Sequence, residues 1–199
     1  MAGNLSFEEF AAASPCRDPA DRKKLLFIYR ALEDLAAERR GWVADFAILE
    51  TACGTGAITL SLARTGARVR AFDTDARDVG ALGAAAARAG FDNVTAAFGD
   101  ASALRTAERF DVVVAGDMDR APDPDALLAN VVRHLAPGGL VIVIASNGYG
   151  RWERGGASGR GSKPRHRRFT HGKLVTLLQR NGLDVHRLTN AAFLSAMSP

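Results

Sequence analysis

Short, unbroken apolar runs alternate with helical patterns along nearly the whole chain, and this alternation limits the fold more than any other feature. The strand-like runs are residues 44–50 (ADFAILE), 68–72, 94–98, 110–115 (FDVVVA), 140–145 (LVIVIA) and 183–188. Between them the spacing predicts helices over 57–65, 76–89, 124–135 and 171–181. An earlier one is predicted over 21–39, where Leu25, Ile28, Leu32 and Leu35 recur at helical intervals. Strands that are apolar on both faces must be covered on both faces, which indicates a mainly parallel sheet between helical layers. Residues 5–20 are mixed, with Pro15 and Pro19 interrupting any long helix.

With 199 residues the chain suits one domain with a full core. Within it, 1–40 read as an N-terminal helical cover, 41–147 as a ligand-binding core, 148–168 as a basic flexible loop, and 169–199 as a C-terminal helix and strands. The formal charge of +4 is modest. Its excess is gathered in that loop, where Arg151, Arg154, Arg160, Lys163, Arg165, Arg167 and Arg168 face a single acid, Glu153. A basic face with interleaved aromatics is missing, which argues against a nucleic-acid partner. Cys16 and Cys53 show neither metal-ligand spacing nor a disulfide framework, so a reduced, cytoplasmic setting is expected, with no metal. Residues 1–10 carry acids and no apolar leader, and no run is long enough to cross a membrane.

The first strand runs into Glu50-Thr51-Ala52-Cys53-Gly54-Thr55-Gly56 and then a helix. Gly54 and Gly56 permit a sharp turn and close approach of a ligand, although two glycines alone fit a plain βα turn equally well. Glu50 adds information. A carboxylate at that helix N-terminus would repel a dinucleotide pyrophosphate but tolerate a cationic amino-acid ligand. The third glycine of the dinucleotide pattern is replaced by Thr59. Asp73 ends the second strand (VRAFD), where a carboxylate can accept from both hydroxyls of a ribose or cap the next helix; Thr74 or Asp75 could equally supply the cap. Asp100, after the third strand, could accept from an adenine amino group, with the amide of Ala101 beside it, or simply serve its turn.

Taken in order, ILETACGTG, VRAFDTD, FGDA, FDVVVAGD and LAPGGLVIV resemble the class I S-adenosylmethionine-dependent methyltransferases over roughly residues 44–190. The resemblance implies a Rossmann-like three-layer α/β sandwich. Its sheet would have seven strands, mostly parallel with a reversed edge strand, and the cofactor S-adenosyl-L-methionine would lie at the strand C-termini. Glu50, Cys53, Gly54 and Gly56 would lie by the methionine part, Asp73 and Thr74 by the ribose, Asp100 and Ala101 by the adenine, and Gly116 beside the cofactor. The family usually has glycine where Ala52 stands, which implies a slightly shifted loop, and Cys53 looks like packing and not a nucleophile. His166-Arg167-Arg168-Phe169-Thr170 and Met118–Pro124 further resemble the ubiquinone-type and related small-molecule enzymes, except that Arg120 replaces a histidine of that loop.

These resemblances imply methyl transfer to an oxygen or nitrogen of a small molecule, with Asp117, Asp119 and His166 as candidate acceptor-facing groups or bases. The basic loop reads either as a solvated segment or as a lid clamping an acidic acceptor. Tyr29 and Arg30 could reach the cofactor carboxylate, although core packing explains Tyr29 as well. An RNA or protein substrate for the basic loop, and a binding subunit without catalysis, remain as alternatives. After residue 188 only TNAAFLSAMSP follows, so the last strand is expected to be short, borrowed or missing. An incomplete edge of that kind could favour a homodimer.

Overall fold

The computed structural model describes residues 5–14, 19–145, 169–188 and 193–197. Five strands, β1 (Ala47–Thr51), β2 (Arg68–Asp73), β3 (Val94–Phe98), β4 (Phe110–Ala115) and β5 (Leu135–Ile144), are joined by helical crossovers. A hairpin of β6 (Asp184–Leu188) and β7 (Phe193–Met197) completes one seven-stranded sheet in the order β3-β2-β1-β4-β5-β7-β6. The β1–β2, β1–β4, β2–β3 and β4–β5 pairs are parallel, while β7 runs antiparallel to both β5 and β6.

The reversed strand therefore lies one place in from the edge, and the last strand is present. β7 pairs residue for residue from Leu140↔Met197 to Ile144↔Phe193. With β5 paired inside the chain, the missing-partner ground for a homodimer falls away. The free edge, β6, carries Asp184 and Arg187 and a register shift between Val185 and Arg187, both of which discourage further strand addition.

The helices are α1 (Phe7–Ala12), α2 (Pro19–Glu38), α3 (Thr59–Arg64), α4 (Ala76–Ala89), α5 (Pro124–Arg133) and α6 (His171–Arg180). α1 forms where a mixed segment was expected. Ser6 and Glu9 cap it reciprocally, Ser6 N donating to Glu9 Oε2 at 2.8 Å, and Phe10 is fully buried. α2 buries Leu25, Ile28, Leu32 and Leu35 against one sheet face, alongside Ile48, Val112, Val114 and Ile142. α5 and α6 bury Leu128, Val131, Leu174 and Leu178 against the other, alongside Leu49, Val113, Val141 and Val143. Each such aliphatic side chain contributes roughly 1.5–3 kcal/mol when fully buried. The Pro137-Gly138-Gly139 turn lies inside β5 as an irregularity, since Phe110 pairs with Leu135 but Val112 with Leu140.

Arg39, just past α2, ties the helix to the sheet. Its guanidinium pairs with Asp111 at 2.5 Å and donates to Gly138 O at 2.8 Å, while Asp111 also accepts from Ala47 N at 2.9 Å. Replacing Arg39 with alanine leaves a half-buried carboxylate and a carbonyl without their partner. Urea denaturation is expected to show a loss of about 1–3 kcal/mol; a loss below about 0.5 kcal/mol would mean solvent replaces these bonds fully.

Candidate active site

The C-terminal ends of β1–β4 open into a cleft of about 520 Å³, within the range of small-molecule sites and at the place where open α/β sheets bind ligands. The loop after β1 forms its floor. Cys53 N donates to Phe72 O at 3.1 Å and Gly56 N to Cys53 O at 3.0 Å, folding the loop back before α3. A Cβ on Gly54 would meet nothing within 4 Å, so its side-chain space is open. Ala52 adopts φ +55°, the left-handed region, so an L-residue holds the backbone turn that glycine would take without strain. The loop is strained at this residue. Ala52→Gly is expected to leave stability unchanged or raise it by up to about 1 kcal/mol in thermal denaturation; a loss of stability would contradict the strain.

Asp73 sits at the centre of the cleft wall. One carboxylate oxygen accepts from Gly54 N at 2.8 Å and the other from Asp75 N at 2.9 Å. Asp75, not Asp73, caps α4, accepting from Arg77 N at 2.8 Å, and the Arg77 side-chain hydrogen bond followed by this backbone bond holds its carboxyl below the usual range. The helix-cap explanation for Asp73 is thereby taken by its neighbour, and its remaining lone pairs are available at the cleft. Thr74, Asp100, Ala101 and Gly116 line the same cleft. Asp100 caps the 3-10 turn Ala101–Ala103 through Ser102 N at 2.8 Å. Buried Asn130 on α5 holds that turn from behind, donating to Ala101 O at 2.8 Å and Leu104 O at 3.2 Å. Gly116 is required where it stands, because a Cβ there would lie 2.7 Å from Thr51 O.

A smaller cavity of about 130 Å³ shares Ala52, Gly116 and Asp117 with the cleft and reaches Glu50, Cys53, Ser14 and Lys24. Glu50 is 1% exposed, and Thr59 Oγ1 donates to its Oε2 at 2.6 Å. Burial pushes its pKa up to about 8, opposed by the Thr59 bond and reinforced by the charge of Asp73. Glu50 is thus a largely neutral acid at pH 7 in the free chain, and not the standing charge that its position suggests. Cys53, 5% exposed, has its thiol pushed up to about 12, first by burial and then by the charges of Glu50 and Asp73. It packs in a cluster with Leu60, Ala71, Leu82 and Ala86.

Of the expected site residues, Gly54, Asp73, Thr74, Asp100, Ala101, Gly116 and Asp117 come together on the cleft, and Glu50 and Cys53 on the adjoining cavity. Gly56 lies behind the loop, where its added Cβ would strike Leu82 at 2.5 Å. Asp119 is buried and outside both linings. His166 and the basic segment 148–168 lie outside the described residues. Tyr29 does not reach the site. Its hydroxyl donates to Leu5 O or Glu33 Oε1, both at 2.7 Å, and its ring packs between Phe7 and Phe10. Burial and Glu33 push its pKa up to about 12. Arg30 is exposed and lines neither cavity. Lys24 on α2 lines the smaller cavity instead, and Thr59 acquires a role that showed in the sequence only as a missing glycine.

Residues 48–139 match a methyltransferase domain model. The ubiquinone biosynthesis O-methyltransferase of Aeromonas salmonicida (strain A449) is 28% identical over 131 residues, 60% of this chain and 54% of that protein. Its counterpart from Cupriavidus pinatubonensis is 29% identical, over 60% and 51%. The chain thus spans about half the length of the curated relatives it matches. Among solved structures, a methyltransferase from Aquifex aeolicus aligns over 98% of this chain and 100% of its own with a TM-score of 0.66 at 13% identity. Magnesium protoporphyrin IX methyltransferase of Synechocystis aligns over 97% and 91% (TM-score 0.65, 16% identity). A 4+2 cyclase, SpnF, aligns over 85% and 80% (TM-score 0.68, 18% identity). Residues 48–139 are thus similar to a methyltransferase domain, and the chain shares the Rossmann-like fold of these solved methyltransferases. Among the described residues no helix is long and apolar enough to cross a membrane.

Proposed function

We propose that the chain binds S-adenosyl-L-methionine in this cleft and transfers its methyl group to an oxygen or nitrogen of a small-molecule acceptor. The observation that carries the reading is the charge of the cleft wall. Asp73, Asp75, Asp78, Asp100 and Asp117 line it, with Arg120 the one cation among the described residues there. Such a wall disfavours a pyrophosphate and suits a cationic nucleoside. Asp73 would hold the ribose hydroxyls, Asp100 and the Ala101 turn the adenine, and Glu50 with Lys24 the ammonium and carboxylate of the methionine end.

When bound, the sulfonium supplies an electrophilic methyl group. The residues of the chain bind and orient: the loop 52–56 and Gly116 admit close approach, and Asp117 stands where the cleft and the smaller cavity meet. Positioning of this kind supplies up to about 7–11 kcal/mol of a two-substrate barrier. The small-molecule acceptor is supported by the relatives that act in ubiquinone biosynthesis.

The test is formation of S-adenosylhomocysteine when the protein and S-adenosylmethionine meet pooled phenols, carboxylic acids and amines. Turnover above background that Asp73→Ala abolishes supports the reading. Cofactor binding without turnover on any pool moves it to a binding role, and absence of cofactor binding overturns it.

A further inference from the structure

Arg120 has no counterpart in the needs of a cationic cofactor. It stands on the β4 side of the cleft, beside Ala121 and Pro122, while Asp73, Asp75, Asp78 and Asp100 stand on the β2–β3 side. The wall is therefore divided into an acidic half and a half that presents a guanidinium.

The backbone holds that guanidinium at the cleft. Gly116 N donates to Thr51 O at 3.2 Å, Met118 N to Ile144 O at 3.1 Å, and Arg120 N to Asp117 O at 2.8 Å. Met118 and Asp119 are buried, 0% and 4% exposed, so the turn is anchored through its middle and turns Asp117 and Arg120 outward together. Asp117 adopts φ +45° to do so, a left-handed conformation that aspartate tolerates better than most residues. Arg120 Nη1 then meets Asp117 Oδ2 at 3.2 Å, with the two side chains 60% and 51% exposed. An ion pair this open contributes little and is readily exchanged for another partner. An incoming carboxylate that meets the guanidinium fork in bidentate fashion can therefore displace Asp117.

We propose that Arg120 is a specificity residue, and that the acceptor of this enzyme carries an anionic group, a carboxylate or a phenolate, which replaces Asp117 as its partner. Asp117 is thereby released at the junction of the cleft and the smaller cavity. This inference rests on the cofactor-binding reading above and names the acceptor class for the same site.

The test uses benzoate, benzamide and benzylamine as probes of the 199-residue chain saturated with S-adenosylhomocysteine, followed by ligand-observed NMR. Benzoate is expected to bind the wild type at least about tenfold more tightly than benzamide. R120Q should lose that preference while keeping its affinity for S-adenosylhomocysteine, and should gain for benzylamine through the unpaired Asp117. Arg120→Lys should restore part of the benzoate preference. Benzoate binding no tighter than benzamide, or unchanged in R120Q, overturns the proposal while leaving the cofactor reading intact. A wild type that binds no S-adenosylhomocysteine overturns both.

Discussion

Replacing Asp73 with alanine is expected to weaken S-adenosylmethionine binding by at least about a hundredfold, roughly 3 kcal/mol. Two effects act together. The carboxylate would supply two charge-assisted bonds to the ribose hydroxyls, each worth about 1.5–3 kcal/mol. It also fixes the loop that forms the cleft floor, through Gly54 N at 2.8 Å, so its removal loosens the surface that the rest of the cofactor meets. Asp75 keeps its cap on α4, so the fold survives and titration calorimetry on the variant is feasible. Asp73→Asn retains one acceptor and should fall between the two. An Asp73→Ala protein that binds as tightly as the wild type would place the ribose elsewhere.

Glu50→Gln should remove a pH dependence. The unfolded chain releases the Glu50 proton near pH 4.5, whereas the folded chain holds it to about 8. Between those values the native state binds the extra proton, so wild-type stability falls as pH rises and levels off above about 8. Glutamine has no proton to lose and still accepts from Thr59. The variant's advantage in thermal or urea denaturation should therefore grow from pH 5 to pH 8, by up to about 5 kcal/mol. Under the proposed binding mode, a cationic methionine end would draw the proton off Glu50. Cofactor binding near pH 7 would then release a proton, seen as a binding enthalpy that varies with buffer in the wild type and not in the variant. A stability difference independent of pH would contradict the buried, neutral Glu50.

The two acids show how far residue pattern reaches. Asp73 was legible because strand, carboxylate and helix follow in a fixed order, and local sequence carries that order. The protonation of Glu50 was not, because it depends on Thr59 closing over the carboxyl from the next helix and on burial, and both are tertiary effects. The strands of the core were legible as runs such as FDVVVA, since burial on both faces leaves Asp111, near the strand's start, as its one polar position. β7 was not, because residues 193–197 gain their partners from β5, some fifty positions earlier, and from β6 across a short connection. α1 carried its signal in the Ser6-x-x-Glu9 pair, a capping box that the neighbouring prolines obscured. Lys24 rather than Tyr29 faces the smaller cavity because five residues of helix separate them by more than a full turn. The left-handed turn at Ala52 is invisible in the residue type, since alanine rarely adopts it.

The measurement that bears most directly on the central claim is a crystal structure of the protein grown with S-adenosylhomocysteine. Ribose density is expected within hydrogen-bond reach of Asp73, adenine beside Asp100 and Ala101, and the amino-acid end between Glu50 and Lys24. Ligand density in another place, such as the groove of about 340 Å³ between α2 and the β6–β7 hairpin lined by Asp34, Leu35 and His186, would contradict it.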